Sequence, residues 1–368
     1  MTYVVPNPLP WAAVAGPMVA AEDALARLDD RLGQSPIREG WISRTHVVDA
    51  CASLWLQGEL VHLEDLVLHD AGMDLRAPTH ELTRAHAVLR TRRRIAANDP
   101  GWATSSPGLV ALSGGREEGD DAAVLAREPA PPNETEDERE GEGGFDEAFA
   151  AELAAVDALL ERSNRVLAGA VPSRAHDPLA LVYDLDWDEG ARLDAWRRVV
   201  EDTRALPPLL AAALAFDAWT TIEPLQHRPW LGALVVSGLL RARGKARHHL
   251  PCLNVALRQL PHERRRARDQ PTRLVGFLEA VTLGAGQGRK DHDRWQLARG
   301  LLERKLAGRR KHSKLPALID LVLARPLVSA GMIAAELGIT PRAAQDLVAT
   351  LGLREITGRG RYRAWGVV

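Results

Sequence analysis

Apolar residues recur at helical spacing along most of this chain, and in one stretch they surround the helix completely. Residues 231–240 are almost wholly apolar, and a second apolar segment, residues 207–219, precedes them. A helix that is apolar on all sides lies in the interior of a sizeable helical domain. A short polar loop, residues 223–230, lies between the two segments. The pattern predicts a mainly α protein in which two buried helices hold this loop.

Amphipathic segments predict the other helices of this body. Residues 20–32 place leucines on one face, and residues 79–97 begin with a Thr at the position of a helix cap. The latter helix ends in basic residues that suit the negative end of the helix dipole and are expected to be solvated: Arg90, Arg92, Arg93 and Arg94. Two more helices are predicted at residues 145–167 and 191–206, and a brief hairpin at residues 180–188. Residues 1–17 are rich in Pro and are expected to be irregular.

The polar loop and its flanking helices resemble the active-site region of the Fic (filamentation, AMP-transfer) family. The motif of that family reads His-Pro-Phe-x-x-Gly-Asn-Gly-Arg-x-x-Arg after an apolar helix, and this chain keeps Pro224 and the apolar helix that follows. Glu223 stands at the position of the catalytic His, and Leu234 stands at the position of the second Arg. The other departures are His227, where the family often carries a metal-binding acid, and Arg228, Pro229 and Trp230 in place of Gly-Asn-Gly.

These departures fall where phosphate chemistry needs particular residues. The resemblance implies that phosphate approaches bare backbone N–H groups, which glycines permit. Pro229 has no N–H to offer, and Trp230 fills the space that a glycine would leave. We therefore predict that the motif loop, residues 223–234, contains no catalytic residue and that the protein needs no cofactor.

A second segment resembles the inhibitory motif of the same family, Ser/Thr-x-x-x-Glu-Gly/Asn. Ser53, Gln57 and Gly58 match its positions, with Gln57 in place of Glu. In the family that Glu pairs with the second Arg of the active-site motif, so both halves of the ion pair are missing here. A buried charge left without its partner costs roughly 3–5 kcal/mol, which the joint loss avoids. Alternatively, the segment is an ordinary helix that ends before a turn.

Residues 313–368 carry the pattern of a winged helix-turn-helix. Helices predicted at residues 315–325, 330–337 and 341–351 are followed by two short alternating runs around a Gly-rich tip. The pattern resembles the winged modules of bacterial transcription regulators, whose third helix enters the major groove of double-stranded DNA. The residues expected to contact DNA are Thr340, Arg342, Gln345, Arg359, Arg361 and Arg363. The alternative is a winged module used for protein contacts or dimerisation, and the acidic Asp346 on the third helix counts against DNA binding.

The composition of the chain changes along its length. The whole chain has 368 residues, 46% of them hydrophobic, which is enough for several domains. Residues 105–144 are rich in Gly, Pro, Asp and Glu, which predicts a disordered acidic linker between an N-terminal part, residues 1–104, and a core, residues 145–312. The net charge is −2, yet basic residues outnumber acidic ones between residues 242 and 314, as expected for a phosphate-binding surface.

The remaining features exclude several classes of protein. Cys51 and Cys252 are the only cysteines, so neither a disulfide framework nor a zinc ribbon is predicted. His248 and His249 precede Cys252 without a second cluster, so no metal site is predicted. We find neither an apolar run long enough to span a membrane nor an export leader, and we expect a cytoplasmic protein with no membrane partner.

The whole chain resembles a little-characterised family from plant-associated, rhizobial bacteria, often plasmid-encoded, with a degenerate Fic-like body and a C-terminal winged helix. The leading hypothesis is a non-enzymatic, homodimeric transcription regulator that binds DNA. Its body would dimerise or sense a small-molecule effector, for which the sequence gives no specific residues. One alternative is a divergent nucleotidyl (AMP) transferase that uses Glu223 or His227 as the base to modify a protein hydroxyl. The other is an antitoxin-like partner of an active toxin.

Overall fold

Helices dominate the parts of the chain that the computed structural model describes, residues 3–73, 77–114, 187–306, 314–357 and 363–367. The helices are α1 (Trp11–Gly33), α2 (Arg38–Leu56), α3 (Leu63–Asp70), α4 (His80–Ala97), α5 (Ser106–Ser113), α6 (Glu189–Asp202), α7 (Pro208–Ile222), α8 (Leu231–Ala242), α9 (Leu253–Arg258), α10 (His262–Arg265), α11 (Gln270–Arg304), α12 (Leu315–Ala324), α13 (Ala330–Leu337) and α14 (Pro341–Leu351). The strands are β1 (Val328–Ser329), β2 (Arg354–Glu355) and β3 (Ala364–Gly366). The prediction of a mainly α protein is confirmed.

The two apolar helices α7 and α8 lie in the centre of the body, as their sequences predict. Every residue from 209 to 215 of α7 is buried, and so is every residue from 231 to 240 of α8. Helix α11 runs beside both α1 and α7 and closes the body on that side. No helix in the described ranges is long and apolar enough to cross a membrane.

The N-terminal segment is more ordered than its composition suggests. Helix α1 begins at Trp11, so residues 11–17 are helical, and the expectation of an irregular segment up to residue 17 is wrong for them. Val14 is fully buried, which accounts for the early start even though Pro17 lies inside the helix. Ahead of the helix, the Tyr3 hydroxyl donates a 2.8 Å hydrogen bond to the buried Asp217 of α7. Burial therefore orders a segment for which local propensity predicts no structure.

The first ten residues of the predicted acidic linker, 105–114, are ordered. Residues 106–113 form helix α5, whose N-terminus is capped by the Ser105 hydroxyl, 3.1 Å from the Gly108 nitrogen. Gly114 ends the helix in the left-handed region, at φ 92°, and Leu109 and Leu112 are buried. These ten residues are a capped, packed element, which corrects the prediction of disorder there. The rest of the predicted linker, the helix at residues 145–167 and most of the hairpin at residues 180–188 lie outside the described residues.

The basic end of α4 is not simply a solvated helix terminus. Arg92 is fully buried and donates a 2.8 Å hydrogen bond to the carboxylate of Asp49, which is also fully buried in α2. The Arg92 guanidinium also donates to the carbonyl oxygens of Leu250 and Pro251, at 2.6 and 3.0 Å. Arg93 is paired with Asp70 on the partly exposed side of the helix. The prediction of four solvated Arg residues is therefore wrong for Arg92, because its partner lies in another helix.

The winged module packs directly on the helical body. Its three strands form an antiparallel sheet in the order β1-β3-β2, with Trp365 of β3 opposite both Val328 and Glu355. Arg44 of α2 donates hydrogen bonds to the carbonyl oxygens of Val322 and Arg325, at 2.9 and 3.1 Å, which end helix α12. It also donates to the carbonyl oxygen of Val367, at 2.9 Å, just beyond β3. The described parts of the body and of the winged module thus form one compact unit.

Candidate functional site

The motif loop begins with an unusual backbone conformation. Helix α7 ends at Ile222, and Glu223 follows in the left-handed region at φ 49° and ψ 65°. A non-glycine residue rarely adopts this conformation, and here it lets the Glu223 nitrogen donate to the carbonyl oxygen of Trp219 at 2.9 Å. Leu225 is buried two residues later. Glu223 thus ends one helix and turns the chain into the loop.

His227 and Arg228 contact the end of helix α5. The His227 Nε2 lies 3.3 Å from the carbonyl oxygen of Ser113, and its Nδ1 lies 3.0 Å from the Glu189 carboxylate. Arg228 donates a 2.7 Å hydrogen bond to the carbonyl oxygen of Leu112, and partial burial lowers the pKa of its guanidinium. The last carbonyls of a helix have no partner within the helix and carry the negative end of its dipole. These two loop residues therefore cap a neighbouring helix.

The indole ring of Trp219 packs against the first turn of α8. Trp230, immediately before the helix, is 7% exposed. A Cβ atom placed on Gly232 would lie 2.3 Å from Cδ1 of Trp219, so the indole of Trp219 rests directly on the backbone of that turn. Leu231 and Leu234 are fully buried, and Pro229 has no N–H to donate. A helix N-terminus is a natural phosphate-binding site, but here the Trp219 indole packs against its first turn.

The segment that resembles the inhibitory motif forms a helix end with contacts of its own. Helix α2 ends at Leu56, and Gly58 adopts φ 86° in the turn that follows. The Gln57 side chain donates to the carbonyl oxygen of Ser53 at 3.0 Å and accepts from the Arg84 guanidinium at 2.5 Å. Arg84 also forms an ion pair with Glu59. The polar contacts of Gln57 thus lie in α2 and α4, and an inhibitory role stays a prediction.

Local caps position the predicted recognition helix. The Ser329 hydroxyl caps α13, 3.2 Å from the Met332 nitrogen, and Gly338 ends α13 at φ 62°. The Thr340 hydroxyl then caps α14, 3.2 Å from the Ala343 nitrogen. Ala344, Val348 and Leu351 of α14 face the core of the module. The opposite face is exposed and brings together four polar side chains: Thr340, Arg342, Gln345 and Asp346.

Of the three Arg residues predicted to contact DNA from the wing, the structure describes Arg363. Arg363 forms an ion pair with Glu355 of β2, with Nε and Nη2 at 2.8 and 2.7 Å from the same carboxylate oxygen. Hydrogen bonding to Glu355 raises the pKa of the Arg363 guanidinium, which also lies 5.5 Å from the centre of the Trp365 ring. Part of its positive charge is therefore neutralised within the wing. Arg359 and Arg361 lie outside the described residues.

Sequence reasoning missed the polar residues that join distant elements. Arg44 and Asp49 are buried in α2, and their contacts are with residues far along the chain. His249, for which the sequence predicts no metal-binding role, is 5% exposed and hydrogen-bonded to Asp29. The sequence of α2 carries no clear signal for its buried Arg and Asp, because Arg38 and Glu39 of the same helix are also charged and are not buried.

Two family descriptions and a full-length relative match this chain. Residues 181–307 match the family described as "Protein of unknown function (DUF1612)", and residues 315–368 match the family described as "HTH DNA binding domain". The predicted C-terminal helix-turn-helix is thereby confirmed. An "Uncharacterized protein y4cF" of Sinorhizobium fredii (strain NBRC 101917 / NGR234) is 48% identical over 374 residues, which cover 97% of each chain. The prediction of a rhizobial relative is confirmed as well.

Among solved structures, a Fic family protein from Desulfovibrio desulfuricans G20 matches with a TM-score of 0.48 and 13% identity, over 99% of this chain and 97% of that chain. Because the two chains are 48% identical over 97% of each, this chain belongs to the family of the Sinorhizobium fredii protein y4cF.

Proposed function

We propose that this protein is a DNA-binding regulator of transcription whose helical body transfers no nucleotide. The observation that carries the proposal is the winged helix-turn-helix of residues 315–368, which presents an exposed polar face on α14. An α-helix fits the major groove of B-DNA, and helix-turn-helix proteins place their second motif helix there. In this chain, α14 is the second helix of that motif.

The exposed residues of α14 are chemically suited to base edges. Arg342 can donate two hydrogen bonds to guanine, and Gln345 can pair with adenine. The Thr340 oxygen accepts the capping hydrogen bond, and its O–H is still able to donate to a phosphate. Asp346 disfavours phosphate nearby and favours cytosine, whose amino group is a donor.

Recovery of bound duplexes from a random DNA library tests this interface. The full chain is expected to enrich one shared motif. Arg342→Ala with Gln345→Ala should weaken binding to that motif by about 30-fold or more, because each bidentate contact contributes roughly 1–3 kcal/mol. The control is Arg198→Ala with Gln296→Ala, which removes the same residue types from exposed positions in the body. Equal affinities for the two double variants would exclude α14 as the recognition helix.

The wing is proposed to contact backbone phosphates through Arg359 and Arg361. Replacing both with Ala should weaken binding to all duplexes alike and reduce the slope of log affinity against log salt by about 2. Arg363→Ala provides a comparison within the wing, because Glu355 already neutralises part of its charge. A smaller effect is therefore expected from Arg363→Ala than from either of the other two Arg residues alone. A salt slope unchanged in the Arg359 and Arg361 double variant would count against the wing contact.

The contacts of the motif loop support the second half of the proposal. His227 and Arg228 cap α5, and the Trp219 indole packs against the start of α8. Incubation of the protein with labelled nucleotides, Mg²⁺ and a lysate should therefore label no protein above background. Labelling that disappears in Glu223→Ala would favour the divergent transferase instead.

The proposed regulator acts as a homodimer, since helix-turn-helix proteins commonly bind two half-sites about one helical turn apart. A palindromic motif in the recovered duplexes, together with a dimer mass in solution, is the expected result. A single half-site bound by a monomer would contradict it.

A further inference from the structure

The C-terminal half of α11 exposes leucine side chains, although the opposite side of the helix is buried. Leu297 is 63% exposed and Leu301 is 48% exposed. The two residues are four positions apart, so their side chains lie on one face of the helix. Trp295 and Leu302 lie on the other side of α11 and are buried. Exposed apolar surface with a polar rim is typical of a protein–protein contact.

Charged residues of opposite sign mark the two ends of this face. Asp293 lies one turn before Leu297, and Arg304 lies one turn after Gly300; both charged residues are exposed. All four line a surface groove of about 360 Å³. Asp293 and Arg304 lie roughly 17 Å apart along the axis, given the rise per residue of an α-helix. We refer to these four residues and Leu301 as the α11 stripe.

Gly300 leaves a depression in the middle of the stripe. A Cβ atom placed on Gly300 would meet no atom of another described residue within 4 Å. Leu297 lies one turn earlier on the same face and projects into solvent. The stripe therefore combines a protruding side chain with an open space beside it. Two helices pack closely where the side chain of one enters such a space on the other.

The charged groups at the two ends of the stripe still have bonding capacity. The Asp293 carboxylate contacts Arg31 and His292 through the same oxygen, Oδ1. Its Oδ2 accepts no hydrogen bond from a described residue. The Arg304 guanidinium donates through Nε to the carbonyl oxygen of Gly300 at 3.3 Å and forms no ion pair with a described residue. The stripe thus ends in an acceptor on one side and in N–H donors on the other.

This order of residues is self-complementary in an antiparallel pair. A two-fold axis that passes beside α11 between residues 298 and 299 places Asp293 opposite Arg304 of a second copy. The same axis places Leu297 opposite Gly300 of the second copy, and each of these pairs occurs twice. A parallel pair would instead place Asp293 opposite Asp293 and Arg304 opposite Arg304. Charge and side-chain size along the stripe therefore both favour the antiparallel pair.

We propose that the α11 stripe is the surface through which two copies of this chain associate, with their α11 helices antiparallel. The proposal rests on the homodimer of the proposed function and names its interface, but it does not depend on DNA binding. A second copy is the partner that the stripe fits, because a two-fold axis satisfies both of its charged ends at once.

The winged module is attached to α11 beside the stripe. Arg299 forms a 3.1 Å ion pair with Asp320 of α12, and Lys305 donates to the carbonyl oxygen of Leu351 at the end of α14. The proposed axis passes next to Arg299, so it relates two winged modules that are both held close to it. Two-fold-related DNA half-sites require recognition helices that are related in this way.

Sedimentation of the full chain over a range of concentrations tests the interface. The stripe spans only three turns of helix, so we expect a reversible dimer with a dissociation constant on the order of 10 μM. Leu297→Lys should raise that constant about tenfold or more, because the dimer would bury an ammonium group. Leu283→Lys is the matched control, since Leu283 is 44% exposed on the same helix but outside the stripe. Equal dimerisation of the two variants would refute the interface.

Charge reversal tests the antiparallel register. Asp293→Arg and Arg304→Asp each place like charges opposite one another, so each variant alone should dimerise at least about tenfold more weakly than the wild type. A mixture of the two should form a heterodimer, because both charged pairs are then restored. Native mass spectrometry separates this heterodimer from the homodimers. Asp194→Arg, which reverses an exposed carboxylate on α6, should leave dimerisation unchanged. Absence of the heterodimer from the mixture would refute the register.

The dimer mass and the recovery of duplexes separate this proposal from DNA binding. A wild-type chain that stays monomeric at about 100 μM would refute the interface and the homodimer, whatever duplexes it recovers. A wild-type dimer that is weakened by Leu297→Lys but recovers no duplex would support the interface and overturn the proposed DNA binding. Where both hold, Leu297→Lys should bind the palindromic operator about tenfold more weakly and bind a single half-site as the wild type does. Equal loss on both duplexes would contradict the interface.

Discussion

Single buried charges matter to this protein because they bridge elements that are far apart in sequence. Asp49 receives hydrogen bonds from Arg92, from the Asn254 side chain and from the Val255 nitrogen, at 2.8, 2.9 and 3.0 Å. One carboxylate thus joins α2, α4 and α9. Removing one partner of such a pair leaves an uncompensated charge in the core, which is far more destabilising than the pair is stabilising.

We expect Arg92→Met to lower the free energy of unfolding by about 3–5 kcal/mol, as found when one partner of a buried ion pair is lost. Arg93→Met is the matched control on the next position of α4. Its ion pair with Asp70 is partly exposed, so a loss below about 1 kcal/mol is expected. Urea denaturation of the two variants measures the difference. Similar losses in both would show that the Asp49 site tolerates an unpaired carboxylate.

Residue types alone could not reveal these partners. A run of four Arg residues at the end of a helix is usually solvated, and nothing local identifies Arg92 as the one that turns inward. Its partners lie in residues 49 and 250–252, and only the packing of α4 and α9 against α2 brings them together. The same holds for Arg44, whose acceptors lie beyond residue 321.

At the scale of elements, the sequence predicts the ends of a helix well where residues next to those ends act as start and stop signals. The bounds of α13 and α14 agree with the sequence prediction, because Ser329, Gly338 and Thr340 are local start and stop signals. Helices α1 and α5 were misjudged, because their ordering comes from burial against the rest of the body and, for α5, from contacts with the motif loop. Composition is a weak guide where a short apolar stretch packs on another element.

The contact between the motif loop and α5 leads us to predict that the loop stabilises that helix. Arg228→Met should leave the carbonyl oxygen of Leu112 without its capping hydrogen bond and accelerate amide hydrogen exchange in residues 106–113. Arg197→Met is the control, since Arg197 forms an exposed pair with Asp194 on α6. Hydrogen exchange with mass-spectrometric readout resolves the two regions. Unchanged protection of α5 in Arg228→Met would mean that its own caps and buried leucines are sufficient.

At the scale of the whole molecule, the central question is how firmly the winged module is held to the body. Arg44 is 5% exposed and supplies three hydrogen bonds to that module from a single guanidinium. Lys305, just beyond α11, adds a fourth by donating to the carbonyl oxygen of Leu351 at 2.5 Å. The two contacts hold the module at the end of α12 and at the end of α14.

Arg44→Met is expected to loosen the module while leaving the body folded. Hydrogen exchange should increase in residues 314–357, and α7 and α8 should keep their protection, since their buried faces do not involve Arg44. Arg38→Met is the control in the same helix, because Arg38 forms an exposed ion pair with Glu39. Exchange in the module that is equally slow in both variants would show that apolar packing of α12 is sufficient by itself.

The strand order of the winged module has a consequence for synthesis of the protein. The middle strand, β3, comes last of the three in the chain, so β1 and β2 have no partner in this sheet until residue 366 has left the ribosome. During translation the helical body can fold before β3 has been synthesised. Until then β1 and β2 are unpaired strands, and unpaired strands are prone to pair with other chains. The sheet of the winged module is therefore completed late, after every described residue of the body has been synthesised.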